Sequence, residues 1–270
     1  MRLAGSFLVI LGAVGSTYCA LAGEAKTPAA KQEAKPEAKP AVVPDAATAI
    51  AALRKAGAKV TLNDDGRAVA VEAMKLKLTD ADLVNLQVLP DLETLVLEIT
   101  GRQVTDAGLT NLQKLTKLEK LYLQNVKITD AALSNLSGLT KLRVLSLGNS
   151  GINGKGFEHL KQLRELEVLN LSGNPITDAA LAHLKGLTKL NTLTLDGSNV
   201  TDAGLEHLKP LSLLRVLNLN GTKVTDAGLK YLDGFDCLRM LYLYDCKVGN
   251  KAVGKFKKKM SGLAVYYDLE

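Results

Sequence analysis

The sequence predicts an α/β fold, a right-handed, horseshoe-shaped solenoid in which short parallel strands form an inner sheet and helices lie outside it. Three observations predict this fold. Segments of the form LxxLxL recur every 24 residues. Each segment alternates with the period of a strand and is followed by leucines at helical spacing. The hexapeptide VTDAGL occurs three times, beginning at Val104, Val200 and Val224.

The composition agrees with one repetitive core. Hydrophobic residues make up 47% of the 270 residues, yet aromatic residues make up only 4% and Trp is absent, so Leu, Val, Ile and Ala must fill the interior. Lys and Arg number 34 against 28 Asp and Glu, a net charge of +6 that is spread along the chain. Such a balance indicates anionic partners only weakly, and we expect no nucleic acid partner.

The first 22 residues have the pattern of a secretory signal peptide. Arg2 precedes an apolar run from Leu3 to Val14, and small residues end at Ala22. We expect cleavage after Ala22 and a secreted or periplasmic protein. An uncleaved anchor is the alternative, because residues 3–22 are about as long as a membrane span.

Two segments precede the repeats. Residues 23–44 are rich in Ala, Lys, Glu and Pro, which predicts a disordered linker. Residues 45–67 predict an N-terminal cap. It comprises a helix from Asp45 to Ala56, stopped by Gly57, and the start of a hairpin from Lys59 to Glu72 that turns at the sequence NDDG.

Eight copies of the repeat occupy residues 68–262. The first, from Ala68, is degenerate, and a two-residue insertion falls near Gly101 and Arg102. A closing strand follows within residues 263–270. Because no single copy can bury its apolar face, neighbouring copies must stack. The regular leucine segments begin at Leu92, Leu118, Leu142, Leu166, Leu190, Leu214 and Leu238.

The pattern LxxLxLxx, followed by a small or polar residue, an aliphatic residue and TDAGL, resembles the leucine-rich repeat family. The TDAGL variant is similar to repeats of bacterial secreted proteins and of F-box-associated leucine-rich repeat proteins. The resemblance covers the chain from about Ala68 onward and implies a binding scaffold. An F-box-like substrate receptor of a ubiquitin ligase is disfavoured, because no F-box-like helical segment precedes the repeats.

The dipeptide Thr-Asp marks the point where each copy enters its helical half. We expect both side chains to accept hydrogen bonds from the first N–H groups of the helix that they begin. A ladder of calcium ions along the aspartates is disfavoured, because calcium needs about six oxygens and each copy has one spare carboxylate. The ninth position of most copies holds a small polar residue, which we expect to bond backbone groups of adjacent coils; Val126 breaks this series.

Metal and catalytic sites are not expected. His159, His183 and His207 are 24 residues apart and so form a row that cannot converge on one zinc ion. Cys237 and Cys246 flank an extended strand about 17 Å long, which is too far for a disulfide, and Cys246 is expected to be a buried structural thiol. No catalytic motif is present, so the sequence predicts neither an enzyme nor a cofactor.

The exposed face of the inner sheet is the predicted binding surface for a protein or peptide. Its middle is small and neutral, whereas Tyr and Met gather at its C-terminal end, where Tyr266 or Tyr267 joins them; alternatively these residues only cover the last coil. The candidate residues are Tyr122, Asn170, Thr194, Asp196, Asn218, Asn220, Met240, Tyr242 and Tyr244.

A second hypothesis places attachment elsewhere. The last helix carries Lys251, Lys255, Lys257, Lys258 and Lys259 on its outer side, and these could hold the protein electrostatically on an anionic envelope surface while the solenoid serves structure alone. We expect a monomer in either case.

Overall fold

The computed structural model describes residues 44–100, 103–260 and 262–268. The predicted signal peptide (residues 1–22), all but the last residue of the predicted linker, and the insertion at residues 101–102 lie outside the described residues.

Ten strands form one sheet in chain order. The first two strands pair antiparallel and every later pair is parallel. The strands are β1 Lys59–Leu62, β2 Ala68–Leu76, β3 Thr94–Ile99, β4 Lys120–Gln124, β5 Val144–Ser146, β6 Val168–Asn170, β7 Thr192–Thr194, β8 Val216–Asn218, β9 Met240–Leu243 and β10 Ala264–Tyr267. Leu145 aligns with Leu169 and Leu169 with Leu193, so one repeat advances the sheet by one strand. The predicted α/β solenoid is therefore confirmed.

Short helical segments form the other side of each coil. The α-helices are α1 Ala46–Lys55, α2 Asp80–Leu83, α3 Asp106–Leu109, α4 Asp178–Leu181, α5 Asp202–Glu206 and α6 Asn250–Lys259. The 3₁₀ segments are Val84–Val88, Thr110–Leu112, Asp130–Leu136, Phe157–Leu160, Ala182–Leu184 and Asp226–Leu232. In the part of the chain that the structure describes, no helix combines the length and the apolar character that crossing a bilayer requires.

The spacing of the buried leucines is compatible with the 3₁₀ geometry. Leu133, Leu136 and Leu139 are three residues apart and each is fully buried. A 3₁₀ helix has three residues per turn, so Leu133 and Leu136, which lie within the segment Asp130–Leu136, fall on one face. Coils with the same leucine spacing, such as the one that contains α4, begin with a turn of α-helix instead.

Both predicted end elements are present. Asp45 begins α1 by accepting a hydrogen bond from the backbone N–H of Thr48 at 2.8 Å, and Leu53 on the inner side of α1 is buried. The hairpin turn contains Gly66 at φ +74°, a backbone conformation that favours glycine. At the other end Val253 and Phe256 of α6 are buried, and β10 pairs with β9.

The threonines of the Thr-Asp dipeptides cap their helices in part, but the expectation that the aspartates do the same is wrong. Thr201 accepts a hydrogen bond from the N–H of Ala203 at 3.3 Å in its own coil. Asp178 instead reaches the next coil, where it accepts hydrogen bonds from the N–H of Thr201 at 2.8 Å and from its hydroxyl at 2.6 Å. Each carboxylate thus joins two neighbouring coils. We call this set the aspartate ladder: Asp80, Asp106, Asp178 and Asp202.

The ladder favours a glycine in the TDAGL motif. A Cβ atom added to Gly204 would lie 2.3 Å from Oδ1 of Asp178, so one of the two residues would have to shift. One pair of coils has the opposite arrangement. Gly154 stands at the position of the ladder aspartate, and Ala180 stands in the next coil at the position that corresponds to Gly204. A Cβ added to Gly154 would lie 2.2 Å from the Cβ of Ala180, so here the alanine methyl group occupies the space that the aspartate fills elsewhere. Ala132 beside Asp106 shows that the ladder also accommodates an alanine.

The ninth-position residues behave as predicted at Asn174, which is fully buried. Its Oδ1 accepts hydrogen bonds from the N–H groups of Ser150 and Gly151 at 3.0 and 2.8 Å. Its Nδ2 donates to the carbonyls of Leu147 and Leu171 at 2.7 and 3.0 Å, so one side chain connects two coils. Ser198 departs from the prediction, since its buried hydroxyl has no hydrogen-bond partner among the described residues.

Candidate binding surface

The side chains that alternate with the buried strand leucines form a second face of the sheet, here called the open face. It consists of three rows of side chains, and each row contains the residues that occupy equivalent positions in successive strands. The first row is Thr94, Lys120, Val144, Val168, Thr192, Val216, Met240 and Ala264; the second is Val96, Tyr122, Ser146, Asn170, Thr194, Asn218, Tyr242 and Tyr266; the third is Glu98, Gln124, Gly148, Ser172, Asp196, Asn220 and Tyr244.

The middle of the open face is a closed network of polar side chains. The hydroxyl of Thr194 donates to Oδ1 of Asn170 at 2.8 Å, and Nδ2 of Asn218 donates to Oδ1 of Asp196 at 3.3 Å. The hydroxyl of Ser172 lies 2.6 Å from both Asn170 Oδ1 and Asp196 Oδ1. These groups satisfy one another, which leaves few donors and acceptors free for a ligand.

Two candidate residues of this middle region are buried. Thr194 is 5% exposed and Asn218 is 9% exposed, because strands about 4.8 Å apart let adjacent short side chains cover each other. Thr194 and Asn218 therefore support the network and offer little surface to a partner. Asn170, Asp196 and Asn220 remain half-buried.

The C-terminal end of the open face is aromatic. The rings of Tyr242 and Tyr266 are stacked, with centroids 4.7 Å apart and planes 11° from parallel. The hydroxyl of Tyr242 lies 3.6 Å from the sulfur of Met240. Tyr244 is 41% exposed and Tyr266 is 39% exposed, so both present apolar area to solvent. We call Met240, Tyr242, Tyr244 and Tyr266 the tyrosine cluster.

Backbone contacts fix the position of this cluster. The N–H of Tyr244 donates to Oδ1 of Asn220 at 2.8 Å, and the N–H of Asp245 donates to Oδ2 of Asp268 at 2.6 Å. Burial, together with the neighbouring Tyr266 and Tyr244, raises the pKa of Tyr242 above its ordinary value. The phenol is therefore neutral at physiological pH and acts as a hydrogen-bond donor as well as an apolar surface.

Three placements go beyond the sequence prediction. Tyr266 is the residue that joins the cluster, whereas Tyr267 packs against the core. Tyr122 lies on the same row but far from the cluster, and burial raises its pKa. Met74, which the sequence analysis did not select, is 57% exposed beside Glu98 at the other end of the open face. The alternation of side chains along the degenerate first strand places Met74 on the open face, and this pattern could have identified it.

The described residues form no cluster suited to metal binding or catalysis. Among the described residues no group of three or more His, Cys, Asp or Glu lies close enough to hold a metal ion. A cavity of about 830 Å³ between two coils is lined by Lys161, Arg164, His183 and Lys185, and its Glu165 is paired with Lys189 at 2.6 Å. This basic cavity contains no nucleophile paired with a base.

Both cysteines of the repeats are free thiols. The sulfur of Cys246 lies 3.1 Å from the carbonyl oxygen of Leu219, and burial raises the pKa of this thiol. A raised pKa keeps Cys246 protonated at neutral pH, which suits the structural role expected of it.

The lysines of the last helix form a separate surface. Lys251, Lys255, Lys257, Lys258 and Lys259, here called the lysine group, are all exposed. Lys259 forms an ion pair with Asp233 at 2.7 Å.

Comparisons with known proteins place this geometry among solenoids of the same kind. A family model described as a leucine rich repeat matches residues 116–176, and a second matches residues 211–232. No curated protein matches the chain. The structure is similar to that of internalin C2 from Listeria monocytogenes, with a TM-score of 0.63 and 27% identity over 84% of this chain and 94% of the internalin.

Two further solved structures share the fold. A leucine-rich repeat protein of Leptospira interrogans gives a TM-score of 0.55 with 20% identity, over 67% of this chain and 44% of that protein. The plant peptide hormone receptor RGFR1, solved in complex with RGF2, gives a TM-score of 0.53 with 15% identity, over 78% of this chain and 37% of the receptor.

Proposed function

The chain belongs to the leucine-rich repeat family, and from that premise we propose that it is an exported scaffold that binds a protein or peptide partner. The proposed docking surface is the tyrosine cluster. The observation that carries the proposal is the contrast along the open face. Its middle is internally hydrogen-bonded, whereas its C-terminal end exposes two tyrosine rings.

Tyrosine and methionine suit this role physically. A tyrosine ring buries a large apolar area with few rotatable bonds, and its hydroxyl can bond a peptide carbonyl. The half-buried Val168, Val216 and Met240 continue the apolar surface along the first row towards the middle of the sheet. A partner could therefore cover the cluster and extend along this row.

The similar structures support a binding role in general terms. One is an internalin and another is a receptor solved with its peptide hormone. In this chain the same fold presents a sheet face whose exposed aromatic residues are concentrated at one end.

The proposal predicts that binding depends on the cluster. Replacing both Tyr242 and Tyr244 by alanine should weaken binding of the partner about 30-fold or more, because one aromatic anchor near the centre of an interface already carries about 2 kcal/mol. The measurement is capture of envelope proteins by the mature chain, followed by titration of the captured partner. Tyr231→Ala, a half-buried tyrosine outside the open face, is the matched control.

Salt distinguishes this proposal from attachment through the lysine group. Apolar docking on the cluster should survive high salt, whereas electrostatic attachment to an anionic envelope is screened. Retention that disappears in salt and is unaffected by the tyrosine substitutions would reject the cluster in favour of the lysines.

Export is the second part of the proposal and rests on residues 1–22. Protein recovered from the periplasm or the medium should begin at Gly23 when its N-terminus is sequenced. A mature chain that still begins with Met1 would show that the signal is retained or not used.

A further inference from the structure

Strand β10 ends the described sheet and has one unpaired edge. Its pairing with β9 is parallel, and the N–H of Ala264 donates to the carbonyl of Arg239 at 2.9 Å. In a parallel ladder alternate residues bond the same neighbour, so Ala264 and Tyr266 bond β9. The N–H and C=O groups of Val265 and Tyr267 therefore point away from β9, toward the free edge.

Among the described residues this edge lacks the features that usually prevent strand addition. Native edges are blunted by lysine, proline, bulges or covering elements. At the opposite edge, β1 begins with Lys59, which is paired with Glu72 at 3.1 Å, and its register is irregular at Thr61 and Leu62. The sequence of β10 is Ala-Val-Tyr-Tyr, without a charge or a proline.

The stacked tyrosines indicate which side chain an added strand would carry. Their centroid distance of 4.7 Å equals the spacing between neighbouring strands. One face of the Tyr266 ring meets Tyr242, and the side chain is still 39% exposed. A residue on a strand added beside β10 would lie at the same distance on the other side of Tyr266. An aromatic residue at that position would extend the stack.

The charge of this chain indicates the charge of the added segment. The lysine group lies on α6, the helix that immediately precedes β10, and the whole chain carries a net charge of +6. Pairing of β10 with β10 of a second copy would bring together two chains that each carry a net charge of +6, and like charges repel. An acidic segment would instead be attracted to this chain.

We propose that the free edge of β10 is a docking site for strand addition by an extended acidic segment of a partner protein that places an aromatic residue beside Tyr266. Backbone hydrogen bonds to Val265 and Tyr267 would supply affinity, and the ring and the lysine group would supply specificity. The edge shares Tyr266 with the tyrosine cluster but does not include the exposed face of Tyr244, so a variant at Tyr244 distinguishes this proposal from the proposed function.

The test uses the full mature chain and a labelled peptide, Glu-Glu-Thr-Val-Tyr-Val-Thr-Glu-Glu, with binding measured by fluorescence anisotropy. Two further peptides carry N-methyl groups on backbone amides of the central five residues. One is methylated at the first, third and fifth of these residues, and the other at the second and fourth. In a strand the two sets point to opposite sides. Strand addition therefore predicts that one of the two peptides loses about tenfold or more in affinity while the other keeps its affinity. Equal behaviour of the two methylated peptides, or no binding of the unmethylated one, would overturn the proposal.

Protein variants provide a second, independent measurement. Val265→Pro removes an N–H that points to the free edge, whereas Val265→Ala shortens the same side chain and keeps the N–H. We expect loss of peptide binding with proline and retention with alanine, and weaker binding of a peptide in which lysines replace the glutamates. Equal binding by the two variants, or tighter binding of the lysine peptide, would contradict the proposal. A dimer in sedimentation that Val265→Pro abolishes would assign the edge to a second copy instead.

Tyr244→Ala separates the two proposals. It should leave the nine-residue peptide bound, because Tyr244 lies on the open face and outside β10. Loss of peptide binding in this variant would show that the peptide lies on the open face against Tyr244, which would overturn the edge site.

Discussion

Replacement of Asn174 by alanine is expected to lower the free energy of unfolding by about 3 kcal/mol, the scale of leaving several buried polar groups without partners. The side chain is fully buried and takes part in four hydrogen bonds, two as acceptor and two as donor. Alanine would leave the N–H of Ser150 and the carbonyl of Leu147 without these bonds. Both groups belong to the preceding coil, so the substitution weakens the contact between coils.

Ser198→Ala is the matched control, one repeat further along the chain. Ser198 occupies the same position of its coil, but its buried hydroxyl has no partner among the described residues. Removing that hydroxyl should change the free energy of unfolding by no more than about 0.5 kcal/mol, or should stabilise the protein slightly. Urea denaturation followed by circular dichroism measures both variants. Equal losses at the two positions would mean that side-chain volume, and not hydrogen bonding, determines stability there.

The sequence predicts the architecture well because the repeat itself carries the information. Leucines 24 residues apart must superpose in neighbouring coils, and alternation within LxxLxL decides which side chains face the core. This reasoning identified the strands, the open face and the aromatic end at Tyr242 and Tyr244. It also identified the hydrogen-bonding role of Asn174, because a small polar residue recurs at that bend.

The pattern of one repeat does not reveal contacts between repeats. Asp178 was expected to cap its own helix, yet its carboxylate bonds Thr201 in the next coil. Thr194 and Asn218 were expected to be available to a ligand, but short side chains on strands about 4.8 Å apart bury one another. Tyr266 could not be distinguished from Tyr267, since a shift of one residue in the pairing of β10 exchanges the two faces.

These contacts between coils also explain why we propose binding at the C-terminal end of the described sheet. In the interior of the array several open-face polar groups bond a neighbour one strand away, as Thr194 bonds Asn170 and Ser172 bonds Asp196. At the last coils the pattern is interrupted by larger side chains, and one strand edge has no neighbour among the described residues. Free surface and free backbone groups therefore occur together at β9 and β10.

Replacement of Asp202 by alanine is expected to destabilise the protein by about 2–3 kcal/mol. The carboxylate accepts hydrogen bonds from the N–H of Thr225 at 2.7 Å and from its hydroxyl at 2.6 Å, and hydrogen bonds to a charged group contribute about 1.5–3 kcal/mol. Loss of both leaves the N–H of Thr225 without this partner at the start of a helical segment. The same hydroxyl caps Ala227 at 3.3 Å, so the segment Asp226–Leu232 also loses its orientation.

Asp226→Ala is the control for this position, because it removes the same side chain from the next repeat. Asp226 is exposed and accepts a hydrogen bond from the N–H of Gly249 at 2.8 Å, where no hydroxyl is present to form the second bond. The loss of stability should therefore be smaller than at Asp202. Urea denaturation compares the two variants, and amide hydrogen exchange at Thr225 reports the bond directly, with faster exchange expected in Asp202→Ala. If exchange at Thr225 is unchanged and both variants are equally stable, the aspartate ladder does not join the coils, and the apolar core alone holds them in register.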